Sequence, residues 1–149
     1  MTTIENTVDL LNRLVQVNED RKQGYQKALD KAGDPTLKAL FDQYAKQSGK
    51  YIVDLGLVIE SYGGIPTEKT TIAGDVYRAW MDVKDVMTTN ERKSTLESCE
   101  RGEDAALSTY KKVIEDMGEV DNNILGTLAF QQEHIEMAHD HIKSLRDNV

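Results

Sequence analysis

Apolar side chains recur at spacings of three and four residues along four long stretches of the chain. This spacing keeps side chains on one face of a helix with 3.6 residues per turn, so each stretch is predicted to be an amphipathic helix. The predicted long helices cover residues 2–32, 35–62, 91–117 and 121–146. Gly33 and Gly118 follow two of them, and Asp34 and Asp121 precede the other two, as helix stops and caps commonly do. A shorter amphipathic helix is predicted over residues 72–87.

The connections between these helices predict how they pack. Short connections within the first pair and within the last pair make each pair an antiparallel hairpin. The connection between the pairs has about 25 residues, and at about 1.5 Å of rise per helical residue it can travel the length of a pair. We therefore predict an all-α fold, a ferritin-like four-helix bundle with a long crossover that contains an extra short helix. It forms a single domain over residues 1–149.

Each of the four long helices exchanges apolar for polar residues near its middle. Glu103 lies on an apolar face, where a carboxylate rarely lacks a partner, and Glu100 lies at the edge of that face. If the helix pairs pack as predicted, these polar side chains fall at a similar depth and form a layer inside the bundle. The predicted members are Asn18, Lys22, Gln47, Ser48, Glu100, Glu103, Gln132 and His139.

One interpretation of this layer is a metal site. The last helix carries Glu136 and His139 at a spacing of three residues, which aims both side chains at one point. Ferritin-like di-iron bundles use two such Glu-x-x-His motifs and a glutamate from each remaining helix. Carboxylates and an imidazole suit iron or manganese, so Glu100, Glu103, Glu136 and His139 are the candidate ligands.

The other interpretation is a structural network, because the ligand set is incomplete. The second helix has no acidic residue between Asp42 and Asp54, and Lys22 occupies the inner face of the first helix. An ammonium there would repel a metal and could pair with Glu103 instead. In this interpretation Lys22, Glu103, Gln132 and His139 form a buried polar network. A single weakly held metal ion or a small-molecule site remains a further alternative.

Charge and composition exclude several classes of function. The net charge of −8 argues against a basic face for nucleic acid and against binding to an anionic membrane surface. No apolar run approaches the roughly 18 residues that a membrane span needs. The single cysteine permits no internal disulfide, and the first residues lack the basic and apolar regions of a secretory signal. We therefore expect a cytoplasmic protein.

Five sequence blocks carry a resemblance to a known group of proteins. The blocks are Gly24-Tyr25-Gln26-Lys27-Ala28, Asp34-Pro35-Thr36-Leu37-Lys38-Ala39-Leu40-Phe41, Gly63-Gly64-Ile65-Pro66, Trp80-Met81-Asp82-Val83-Lys84 and Cys99-Glu100-Arg101-Gly102-Glu103-Asp104. With them the chain resembles an uncharacterised bacterial family of ferritin-like four-helix-bundle proteins over nearly its whole length. The resemblance implies the fold and a bacterial cytoplasmic setting, and it implies no activity.

Three functional hypotheses follow. The first is a non-enzymatic structural or stress-associated bundle that forms a homodimer, with no nucleic-acid or membrane partner and no identified protein partner. The second is a metal-binding protein that holds iron or manganese and has a redox or peroxide-related role. A third, weaker hypothesis treats the crossover helix around Trp80 as a docking face for a partner.

Overall fold

The computed structural model describes residues 3–71, 74–86 and 92–149, and within these residues the chain is helical with no strand. The predicted limits at Thr2, Ile72, Met87 and Glu91 lie outside the described residues. The five helices are α1 (Thr3–Lys31), α2 (Pro35–Ser61), α3 (Asp75–Val86), α4 (Arg92–Asp116) and α5 (Asn122–Asp147). None of them, over the described residues, combines the length and the apolar character that crossing a membrane requires.

Local signals set the helix ends where the sequence predicts them. The Asp34 carboxylate accepts a hydrogen bond from the backbone N–H of Thr36 at 2.8 Å, and Asp121 accepts one from Asn123 at 2.7 Å. Each cap satisfies an N–H group that has no partner inside its helix. Gly63 and Gly118 adopt φ angles of 79° and 71° just beyond α2 and α4. This left-handed backbone favours glycine and ends a helix.

The helices pack around one apolar core. α1 contacts α2, α3 and α4, while α4 contacts α5 as well as α3. α2 approaches α5 at few points, one of which joins the Tyr44 hydroxyl to His141 Nδ1 at 3.1 Å. This arrangement is compatible with the predicted four-helix bundle. Fully buried core side chains include Leu11, Leu14, Phe41, Leu55, Leu96, Leu128 and Ile135.

The crossover helix α3 is anchored by Trp80, which is only 1% exposed. Its indole lies against two mid-helix glycines: a Cβ atom at Gly24 of α1 would fall 2.3 Å from Trp80 Cε3, and one at Gly102 of α4 would fall 2.6 Å from Cε2. The glycines therefore leave room for the ring. Because Trp80 is packed inside, its indole offers no docking surface; docking on other residues of the crossover helix stays a prediction.

Candidate functional site

An ion pair without any exposure to solvent lies at the centre of the helical core. Arg21 of α1 donates from Nε to Glu103 Oε1 at 2.7 Å and from Nη2 to Glu103 Oε2 at 2.9 Å. Both side chains are 0% exposed. A bidentate contact of this kind is the strongest hydrogen-bonded pairing between a guanidinium and a carboxylate. The positive charge of Arg21 therefore balances the negative charge of Glu103.

Groups from α1 and α2 complete the surroundings of this pair. The Tyr25 hydroxyl donates to Glu103 Oε2 at 2.9 Å, and Arg21 Nη1 donates to Ser48 Oγ at 2.9 Å. The guanidinium also lies over the Tyr25 and Tyr44 rings, at 5.4 Å and 5.6 Å from their centroids. Cation–π contacts of this kind favour a positive charge that water does not reach.

A second chain of hydrogen bonds extends this polar region to α5. Asn18 Nδ2 donates to the Leu14 carbonyl at 2.9 Å and to the Tyr110 hydroxyl at 2.7 Å, and Tyr110 donates to Gln131 Oε1 at 2.8 Å. Asn18 Oδ1 and Gln131 Nε2 are buried and have no hydrogen-bond partner among the described residues. We call this region the inner polar layer; its members are Asn18, Arg21, Tyr25, Ser48, Glu103, Tyr110 and Gln131.

The electrostatics around Glu103 keep Arg21 charged and the neighbouring tyrosines neutral. Burial opposes the charge of Arg21, but Glu103 outweighs that penalty and raises the pKa of Arg21 above its ordinary value. Burial, reinforced by Glu103, raises the pKa of Tyr25 well above 10.0 and the pKa of Tyr44 to about 12. The phenols are therefore protonated at neutral pH, which lets Tyr25 act as a donor to the carboxylate.

The partner of Glu103 differs from the predicted one. Lys22 does not reach Glu103; its ammonium lies 3.3 Å from Glu19 Oε2, and its side chain is 30% exposed. Gln131, and not the predicted Gln132, is the glutamine of the inner polar layer. In both cases the residue next to the predicted one faces inward, while apolar positions of the same helices, such as Leu128 and Ile135 of α5, stay buried. On α1 the inward positions are Leu14, Asn18, Arg21 and Tyr25, which follow a spacing of four, three and four.

A second cluster lies on the outside of the core, between α4 and α5. Glu100, Asp104 and His139 each offer one possible ligand atom, and these atoms lie within 4.8 Å of one another. His139 Nε2 lies 2.8 Å from Asp104 Oδ1, and His139 Nδ1 lies 3.0 Å from Asp140 Oδ1. Arg146 Nη1 donates to Glu100 Oε1 at 2.5 Å. We call Glu100, Asp104 and His139 the flank cluster.

The four predicted metal ligands are divided between these two places. Glu100 and His139 meet in the flank cluster, whereas Glu103 faces the interior and Arg21. Glu136 is exposed at the surface. Asp104 follows Glu100 by one full turn and so shares its face of α4, while Glu103 turns to the other side. The structure therefore does not bring all four predicted ligands to one point.

Sequence reasoning missed two residues that matter, Arg21 and Asp104. For Arg21 a signal existed, because the regular spacing through Asn18 and Tyr25 includes position 21, and arginine suits buried ion pairs better than lysine. For Asp104 the only signal was its spacing of four residues from Glu100. That spacing predicts a shared face, but it does not predict that α5 presents His139 to it.

Comparison with known proteins identifies a family without a known activity. A family model described as Domain of unknown function (DUF2383) matches residues 6–116. The match begins within α1 and ends with α4, so it includes the Arg21–Glu103 pair and excludes His139. No curated protein gives a significant match.

Proposed function

We propose that this chain, which belongs to the DUF2383 family, is a non-enzymatic ferritin-like four-helix bundle with an ion pair in place of a di-iron centre. The observation that carries this proposal is the Arg21 guanidinium bound at two points to the only carboxylate of the inner polar layer. A bacterial, cytoplasmic origin stays a prediction from the resemblance and the single cysteine.

The residues of the layer do not fit a di-iron centre. Such a centre takes carboxylates from all four long helices, and histidines from two of them. Here α1 contributes Arg21, α2 contributes Ser48 and α5 contributes Gln131, so Glu103 is the only acidic ligand. A guanidinium nitrogen 2.7 Å from Glu103 Oε1 would also repel a cation at that oxygen. The interior therefore supports a structural role better than the alternative of iron or manganese redox chemistry.

The protonation states of the layer support the same proposal. General acid–base catalysis inside the layer would need a group that gains or loses a proton near neutral pH. Burial raises the pKa of Tyr25 and of Tyr110, and the charge of Glu103 is matched by Arg21. Buried ionic groups of this kind serve in some proteins to select one register between helices. We infer that the layer fixes how α1, α2, α4 and α5 meet, and that the protein acts through its surface as a structural or stress-associated component.

Metal analysis of a variant tests this proposal. His139→Ala disrupts the flank cluster and leaves the inner polar layer intact, so any metal that it retains must bind elsewhere. The variant is purified without chelator, incubated with iron(II) or manganese(II), desalted and analysed. We expect far less than one metal ion per chain and no peroxide-consuming activity. One or two ions per chain in this variant would overturn the proposal.

We also propose that the protein forms a homodimer. Val53 and Leu57 lie one turn apart on α2 and are 61% and 62% exposed. A matching pair of apolar side chains on two copies suits a two-fold contact, in which the same patch is used twice. Light scattering coupled to gel filtration tests this: we expect a dimer for the wild type and a monomer for Leu57→Lys. A monomeric wild type at micromolar concentration would refute it.

A further inference from the structure

We propose that the flank cluster is a binding site for one divalent first-row metal ion, held by Glu100, Asp104 and His139. The site lies outside the inner polar layer, and it uses Asp104, which belongs to neither the ion pair nor the predicted ligand set. Its three ligand atoms lie within 4.8 Å of one another. Neighbouring ligands of an octahedral ion with bonds of about 2.1 Å lie about 3 Å apart, so modest side-chain rotation closes the site.

Two packed helices hold the three ligands. Glu100 and Asp104 are four residues apart on α4, so they project from the same face of that helix. His139 comes from α5, which packs along α4. Ligands on helices are positioned more rigidly than ligands on loops. The packing of α4 against α5 therefore brings the three ligand residues together before any cation binds.

The orientation of His139 is a second, independent observation in favour of a metal. Metal-binding histidines usually donate their other ring N–H to a carboxylate or carbonyl, which fixes the ring and its tautomer. Here Asp140 Oδ1 lies 3.0 Å from His139 Nδ1, so Nε2 is the nitrogen left for the cluster, 2.8 Å from Asp104. A metal ion would replace the proton between Nε2 and Asp104 without disturbing the contact with Asp140.

Glu100 supplies the third observation. One of its oxygens, Oε1, is held by Arg146, while the other, Oε2, is buried and accepts no hydrogen bond from any residue that the structure describes. A buried carboxylate oxygen without a donor is unfavourable, and a cation would satisfy it. Arg146 carries a positive charge near the site, but it binds only Oε1 of Glu100 and also bonds to Asp147, whereas Arg21 occupies both oxygens of Glu103.

The ligand chemistry narrows the class of ion. One imidazole and two carboxylates suit manganese(II), iron(II) or zinc(II), whereas calcium and magnesium prefer oxygen ligands throughout. The Asp104 side chain is 61% exposed, so water has access to the remaining coordination positions. Manganese(II) and zinc(II), which are stable in air, are the appropriate probes.

Calorimetric titration of the full chain with zinc(II), and separately with manganese(II), tests the proposal. The matched control is His134→Ala, because His134 also lies on α5 and bonds to the Phe130 carbonyl outside the cluster. We expect one ion per chain for the wild type and for His134→Ala. We expect at least tenfold weaker binding for His139→Ala and for Asp104→Asn, with unchanged far-UV circular dichroism. Equal affinity in all four proteins, or no binding of either ion at millimolar concentration, would overturn the proposal.

Manganese(II) provides a second readout that does not depend on a variant. Its unpaired electrons broaden NMR signals of nearby nuclei, so amide signals from residues 97–104 of α4 and 136–143 of α5 should weaken first. Broadening centred on another acidic surface would place the ion elsewhere and would contradict the assignment. Failure of this site would leave the proposed role of the inner polar layer untouched, since no residue is shared between them.

Discussion

Replacing Arg21 with methionine perturbs the inner polar layer at its most sensitive point. Arg21→Met keeps a long side chain in the core but removes both hydrogen bonds to Glu103, so a fully buried carboxylate keeps only the Tyr25 hydroxyl as a donor. Removing one partner of a buried ion pair costs about 3–5 kcal/mol. For a protein whose urea dependence is about 2 kcal/mol per molar, that loss lowers the unfolding midpoint by about 2 M.

The assay is equilibrium unfolding in urea, followed by circular dichroism, with two comparison variants. Lys22→Met removes the neighbouring cation, which is partly exposed and pairs with Glu19 one turn away, so we expect a loss below about 1 kcal/mol. Arg21→Met combined with Glu103→Leu removes both charges and should recover most of the stability lost in Arg21→Met. The reasoning is refuted if Arg21→Met costs less than about 1 kcal/mol, or if Lys22→Met costs more than Arg21→Met.

Three further predictions concern other parts of the structure. Gly102→Ala should lower stability by about 1–3 kcal/mol and shift the tryptophan emission, because the new methyl group meets the Trp80 ring; unchanged thermal unfolding would contradict this. The hydrogen bond from the Thr36 amide lowers the pKa of Asp34. Above a pH of about 3.9, the pKa of an aspartate in the unfolded chain, the charge of Asp34 should therefore make its full contribution to stability. This contribution should disappear as the pH falls through the lower pKa that Asp34 has in the folded protein. If the wild type stays more stable than Asp34→Asn at the lowest pH measured, this prediction is wrong. Burial raises the pKa of the Cys99 thiol, so a disulfide reagent should modify Cys99 only after unfolding, and fast modification of the native protein would count against this placement.

The helices and their ends were predictable because their causes are local. Asp34 followed by Pro35 caps α2, Asp121 caps α5, and Gly63 ends α2, each through contacts within a few residues. The apolar spacing then sets the length of each helix. These features depend on sterics and hydrogen bonds between residues that are close in sequence, so the local sequence is enough to predict them.

On α1 and α5, the choice of which of two adjacent polar residues faces inward was not predictable in the same way. Arg21 and Lys22 are adjacent cations, and an apolar stripe about 100° wide admits either of them to the core. The structure turns Arg21 inward, together with Gly24, which faces Trp80 of α3. On α5 Gln131, next to the predicted Gln132, lies inside, and His139 lies on the flank, 17% exposed. These choices depend on which helix packs opposite, and that information is not local.

The central claim, that an ion pair closes the interior where a metal centre would lie, is tested most directly by a crystal structure of metal-exposed protein. Crystals grown with manganese(II) or iron(II) would be measured on both sides of the metal absorption edge. We predict Arg21 within hydrogen-bond distance of both Glu103 oxygens and no anomalous peak inside the inner polar layer; a peak at the flank cluster would belong to the separate site proposed there. An anomalous peak bonded to Glu103, with Arg21 displaced from it, would contradict the account.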